Sequence, residues 1–266
     1  MNNAIIADSL FPVAEVPAVL QDTHLGETDL REVSTGHKFI VREDTGQVLS
    51  CMTDEYKLVT NQEVYDASQD ALQKAGAVER EVKVLNDGKR TMWRYVIPNV
   101  KVKVAKDDYV NPEIMIKNSY DGSWEIGIIA GAYRLVCSNG MVIGVILSKK
   151  TNRHSIYNPR IAELPALIEE TIQNTSEVFK VDFALMLETK VRQSHVQELI
   201  KMIPTNVMEG FIQYLCTHKP DTYWDLFNAA TWVNTHHMNR DFMSTHKFES
   251  QIFPTVRGWA NQVASA

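Results

Sequence analysis

The stretch NPEIMIKNSYDGSWEIGIIAGAYRLVCSNGMVIGVI, from Asn111 to Ile146, decides the fold. It reads as three or four β-strands joined by tight turns. Asp121-Gly122 and Asn139-Gly140 are dipeptides that tolerate the positive φ a two-residue hairpin turn requires. The runs between them are rich in Ile, Val, Tyr and Trp, which fit a pleated, half-buried surface. Ile114, Ile116, Trp124, Ile126, Ile128, Leu135 and Val142 alternate, for part of their length, with polar or small neighbours. That is the pattern of a sheet with one buried face. The opposite face carries Lys117, Asn118, Tyr120, Arg134, Ser138 and Asn139. These residue types suit a plain solvated face, and they equally suit contact with phosphates and bases.

Upstream, His37–Arg42 and Gln47–Met52 predict a hairpin around Asp44-Thr45-Gly46, and Tyr56–Val59 a short strand. Thr60-Asn61-Gln62-Glu63 fits a capping box, with Thr60 as N-cap and Glu63 reaching back. The helix it opens runs to about Ala75, where Gly76 suits the C′ position. Val82–Val84 and Thr91–Ile97 flank a turn at 86–90. The alternation in VKVKV, Val100 to Val104, puts Lys101 and Lys103 on one face of a strand. Residues 1–30 hold Pro12, Pro17 and several acids, and read as an arm poorly ordered alone, yet apolar enough to pack on a neighbouring subunit. Downstream of the basic connector 149–154, helices are predicted at about 160–178, 181–202, 205–217, 222–238 and 246–263. The expected organisation is an arm (1–30), an antiparallel β-rich domain with one packed helix (31–150) and a helical region packed on it (151–266). The fold class is α+β.

The 266 residues are ample for a core, and 44% hydrophobic with 23% charged residues is ordinary for a globular chain. No apolar run reaches the ~18 residues of a membrane span, and no basic-then-apolar leader opens the chain. Cys51, Cys137 and Cys216 are odd in number and far apart, the usage of reduced thiols in a cytoplasmic protein. The net charge of −6 is unevenly spread. Residues 1–79 hold 5 Lys/Arg against 14 Asp/Glu, residues 80–160 hold 14 against 7, and residues 161–266 hold 8 against 12. A basic centre between acidic flanks focuses an anionic partner onto one surface.

No phosphate-binding Gly-rich loop, GxGxxG or GxSxG occurs, so neither ATP nor dinucleotide chemistry is indicated. There is no CxxC pair and no HExxH. Cys216, His218, His236, His237 and His246 lie in the C-terminal third, where capping or surface histidines explain them as well as a metal does. Cys137 sits in an apolar strand and reads as an inert thiol. No catalytic machinery is visible and no cofactor is expected. The basic centre is the candidate site. Lys89 and Arg90 decorate one hairpin, Lys101 and Lys103 a strand, Lys117, Asn118 and Arg134 the next strands, and Lys149, Lys150 and Arg153 the exit. Tyr120 and Trp124 are interleaved with them. Cations with stacking rings are the physical recipe for sequence-tolerant binding of single strands. The alternative is that the tryptophans are core and the lysines solubilise.

At Asn118-Ser119, Asp121-Gly122-Ser123, Arg134-Leu135-Val136-Cys137 and Asn139 the sequence resembles a phage/plasmid-like protein family of unknown function. Asp44-Thr45-Gly46, Tyr56-Lys57-Leu58-Val59 and Trp224-Asp225-Leu226-Phe227-Asn228-Ala229 extend the resemblance over about residues 30–240. It departs at Asn139-Gly140, where the family has Asn-Thr, and at Arg153-His154-Ser155, where it has Arg-His-Thr. The order of hairpin, strand, helix and antiparallel sheet is also similar to the single-strand annealing recombinases. That likeness implies a ring-forming homo-oligomer that holds single-stranded DNA in a basic groove. The expected function is therefore single-stranded nucleic-acid binding with strand annealing, independent of ATP. Lys89, Arg90, Lys101, Lys103 and Lys117 would meet phosphates, Asn118 and Arg134 would position the backbone, and Tyr120 or Trp124 would stack. The rival expectation is an interaction protein that binds a host factor through acidic surfaces.

Overall fold

A computed structural model describes residues 2–22, 31–105, 108–134, 140–141, 161–237 and 242–266. Residues 2–22, expected to belong to an arm poorly ordered alone, form a helix and a strand. Helix α1 (Asn2–Ser9) leads into strand β1 (Val13–Asp22), which pairs antiparallel with β2 (Arg31–Arg42). Strand β3 (Val48–Thr53) completes a three-stranded sheet of order β1-β2-β3. The β2–β3 turn closes as its sequence predicts: Gly46 takes φ +71° and its amide donates to the Arg42 carbonyl at 2.8 Å. Burial explains why the first residues are held. Phe11 joins Ile40, Leu49, Tyr56 and Tyr120 in a buried cluster, and the Arg42 guanidinium lies 3.8 Å from the Phe11 ring centre. Pro17 sits within β1, an edge strand, where its missing N–H leaves no gap in a ladder.

Tyr56–Val59 forms no strand, which corrects the sequence expectation. Its backbone finds no ladder partner, while Tyr56 and Val59 turn inward and are buried. Helix α2 (Asn61–Lys74) begins with the predicted capping box: Thr60 Oγ1 accepts from the Glu63 amide at 3.1 Å, and Glu63 Oε2 accepts from the Thr60 amide at 2.7 Å. Gly76, at φ +65°, ends it, and its amide donates to the Gln73 carbonyl at 2.9 Å. A six-stranded antiparallel sheet follows, built from β4 (Val78–Leu85), β5 (Arg90–Val96), β6 (Val102–Ala105), β7 (Asp108–Ser119), β8 (Gly127–Arg134) and β9 (Gly140–Met141). Its order is β4-β5-β7-β8-β9, with β6 paired to β7. Asn86, Asp87 and Gly88 take positive φ in the β4–β5 turn. The Asn139 part of the turn before β9 lies outside the described residues.

The expectation of one free face on β7 does not hold. From Val110 to Ser119 every residue of the strand is buried except Lys117, which is half-buried. A strand covered on both faces leaves its polar side chains to bond within the protein rather than with water.

The C-terminal part is helical: α3 (Leu164–Val178), a π-turn at Phe179–Phe183, α4 (Ala184–Glu188), α5 (Gln193–Met202), α6 (Met208–His218), α7 (Tyr223–His237) and α8 (Phe242–Ala264). The predicted helix 181–202 is broken at Thr189–Arg192. There the Val191 amide donates to the Asp221 carbonyl at 3.0 Å and the Tyr223 amide to the Thr189 carbonyl at 3.2 Å, so pairing with a distant segment replaces helical bonds. The apolar stripe Tyr223, Leu226, Phe227, Ala230 and Val233 is fully buried, as its spacing predicts, among Phe183, Phe211, Phe253 and Val256. Among the described residues no helix is long and apolar enough to cross a membrane. The chain divides into two compact units that alternate along it. One takes residues up to Tyr95 and Met115–Ile128; the other takes Val96–Ile114 and Glu170–Ala266.

Candidate nucleic-acid interface

In the first unit the organising turn is not the two-residue hairpin expected at Asp121-Gly122: β7 ends at Ser119, β8 begins at Gly127, and of the pair only Gly122 takes positive φ, because side-chain bonds shape a longer connection. Asn118 Nδ2 donates to Asn61 Oδ1 at 2.9 Å and to the Val59 carbonyl at 3.1 Å, which ties β7 to the start of α2. Asn61 in turn donates through Nδ2 to the Ser9 carbonyl at 2.8 Å and to Thr91 Oγ1 at 2.9 Å. Trp93 Nε1 donates to Ser9 Oγ at 3.1 Å. Ser119 Oγ bonds both the carbonyl and the amide of Trp124, at 2.9 and 3.0 Å. Asp121 Oδ1 accepts from the Ser123 amide at 2.9 Å and from the Ser123 hydroxyl. Arg90 Nε donates to Ser123 Oγ at 2.6 Å and lies 3.4 Å from Asp121. Burial pushes the Asp121 carboxyl up, but the Ser123 hydroxyl and amide and the Arg90 charge outweigh it, and the group titrates below its ordinary value.

Several candidate residues are consequently core. Tyr120 is fully buried, with its hydroxyl accepting from the Asn61 amide at 2.8 Å and its ring 5.8 Å from that of Phe11. No ring face is left for a base, and burial raises the phenol's pKa. Asn118 is fully buried and Trp124 nearly so. The expectations that Tyr120 or Trp124 stacks on a base and that Asn118 holds a backbone are therefore corrected. The Asn118 amide nitrogen and the Tyr120 hydroxyl make internal bonds instead, and the Trp124 ring is packed away from solvent. Lys117 lies 6.0 Å from the Trp124 ring centre, where burial lowers its pKa and the Glu125 charge opposes that shift. Arg90 lies 5.5 Å from the same ring. Lys89 is half-buried in the β4–β5 turn, with its carbonyl accepting from the Tyr120 amide at 2.8 Å.

In the second unit, Lys101 and Lys103 are exposed on and just before β6, as their alternation predicts. The Lys101 ammonium lies 5.1 Å from the Tyr109 ring centre, and Lys103 pairs with Tyr109 across the β6–β7 ladder. Strand β6 packs against the π-turn, whose Lys180 is exposed. Arg134 is the last residue of β8. Lys149, Lys150 and Arg153 lie outside the described residues.

Two surfaces stand apart from the basic centre; the sequence indicated the first only as a segment apolar enough to pack on a neighbouring subunit, and missed the second. On the first sheet Val16, Phe39 and Cys51 form one cross-strand row and are exposed, Val16 by 44% and Phe39 by 36%. Leu20 pairs with Val33, at 64% and 49%. In the helical unit Tyr214 and His218 stack at 4.0 Å between centroids and 16° between planes. Tyr214 meets Trp232 of α7 at 4.8 Å, and Trp232 meets His236 at 4.8 Å. The signal for this ladder was present as two aromatic pairs spaced i, i+4 on consecutive helices. Among the described residues no His, Cys, Asp and Glu cluster could hold a metal.

The family described as domain of unknown function DUF932 matches residues 48–252. Comparison with curated proteins and with solved structures yields no match.

Proposed function

The chain belongs to the family of the domain of unknown function DUF932, whose description names no activity, and on that footing we propose that it binds single-stranded nucleic acid and anneals strands as an ATP-independent homo-oligomer. The setting is a phage or plasmid protein in the cytoplasm of a bacterial cell. The observation that carries the reading is the exposed pair Lys101 and Lys103, two residues apart at the start of β6 within the basic segment 80–160. Two cations spaced on the order of 7 Å along a strand neutralise a flexible polyanion without reading its sequence. Arg90 contributes less, because Asp121 already accompanies it.

The partner of the exposed row Val16, Phe39, Cys51 is a second copy of this chain. Pro17 blunts the β1 edge against strand pairing, so the contact is made through the sheet face. The decisive experiment is a fluorescence-polarisation titration of labelled oligo-dT 30-mers at two salt concentrations. Binding that weakens with salt is expected. Absence of binding at low salt overturns the reading and leaves the interaction protein in its place.

A further inference from the structure

We propose that the ring ladder His218, Tyr214, Trp232, His236 on α6 and α7 is the platform on which an unpaired nucleobase stacks, an inference that rests on the nucleic-acid reading above. The rings expected to stack, Tyr120 and Trp124, are enclosed in the core. The ladder ends instead in exposed rings, His218 and His236, backed by the half-buried Tyr214 and Trp232. His218 is held in place: its Nδ1 donates to the Tyr214 carbonyl at 3.1 Å, and its ring lies nearly parallel to that of Tyr214. A pinned flat ring loses little freedom when a base is laid on it.

A cation stands beside the platform. Lys219, exposed and next to His218, closes α6 with its amide donating to the Leu215 carbonyl at 2.9 Å. It takes φ +43°, the left-handed position where helices commonly end in glycine. A lysine held there against its conformational preference presents a charge one residue from the stacking ring, where the phosphate of a stacked nucleotide would lie. The nearby carboxylates are engaged elsewhere. Asp221 pairs with Lys190, and Asp225 accepts from the Thr222 amide at 2.9 Å. Lys101, Lys103 and Lys180 are exposed in the same unit.

The test compares an oligo-dT 30-mer with an abasic strand of the same length and charge, titrated against wild type, His218→Ala/His236→Ala and Lys219→Gly. Wild type should bind the dT strand more tightly than the abasic one. The histidine variant should lose about tenfold for dT, the worth of one lost stacking contact, and nothing for the abasic strand. Lys219→Gly, which suits the backbone conformation and should melt no lower than wild type, should flatten the slope of log K against log salt by about 0.7. Wild type binding dT and abasic strands alike, or a folded histidine variant matching wild type on dT, overturns the platform and leaves the nucleic-acid reading standing. Binding to neither strand overturns that reading itself.

Discussion

Gly122 shows how one residue limits the options at the turn. It holds φ +66°, and a Cβ added there would come within 3.2 Å of Met52 Cε. Gly122→Val is expected to destabilise the protein by about 1 kcal/mol or more, since a β-branched residue resists left-handed backbone. An unchanged urea midpoint would refute the assignment. Asp121 makes a pH-dependent contribution at the same turn. Its folded pKa lies below the ordinary carboxylate value, so its contribution to stability is fully present above that ordinary value and is lost as pH falls through the folded pKa. Asp121→Asn should therefore lower the melting temperature at pH 6, and the gap from wild type should narrow as pH drops towards 3. A constant gap would mean the carboxylate charge adds nothing.

At the scale of the element, β6 carries exposed charge beside a buried strand. Val110, the β7 partner of Val102 in the β6 ladder, is fully buried, while Lys101 and Lys103 face solvent. Replacing both lysines by Glu should leave melting unchanged. A single strand held by four or five cations should show a slope of log K on log salt of roughly −3, at about −0.7 per phosphate. The double variant should flatten that slope and weaken all sequences alike. An unaltered slope would exclude β6 from the interface. The cap of α2, by contrast, needed nothing beyond its own four residues. Thr60 and Glu63 satisfy each other's amides locally, so the boundary was legible in the sequence.

At the scale of the molecule, the exposed row Val16, Phe39 and Cys51 is the surface through which copies should meet. Phe39→Asp places a charge in the middle strand of that row. It should convert an oligomer, seen by light scattering at micromolar protein, into a 30 kDa monomer with unchanged helix content. Wild type that is already a monomer, with or without DNA, removes the assembly.

What the sequence determined by itself is what depends on neighbours along the chain. Gly46, Gly76, Gly88 and Gly122 take positive φ where turns or a helix end were read, because only local backbone sterics are involved. The stripe from Tyr223 to Val233 is buried because helical periodicity gathers those side chains on one face. What only the tertiary structure decided depends on distant partners. Whether residues 13–22 form a strand turned on β2 offering a ladder. Whether 189–192 stays helical turned on the bonds of Thr189 and Val191 to the segment before α7. The roles of Asn118 and Tyr120 turned on Asn61, more than fifty residues away, and on whether β7 is covered on one face or both. Alternation marks which residues share a face, but burial of that face is a property of whatever packs against it, and that is set by the whole fold.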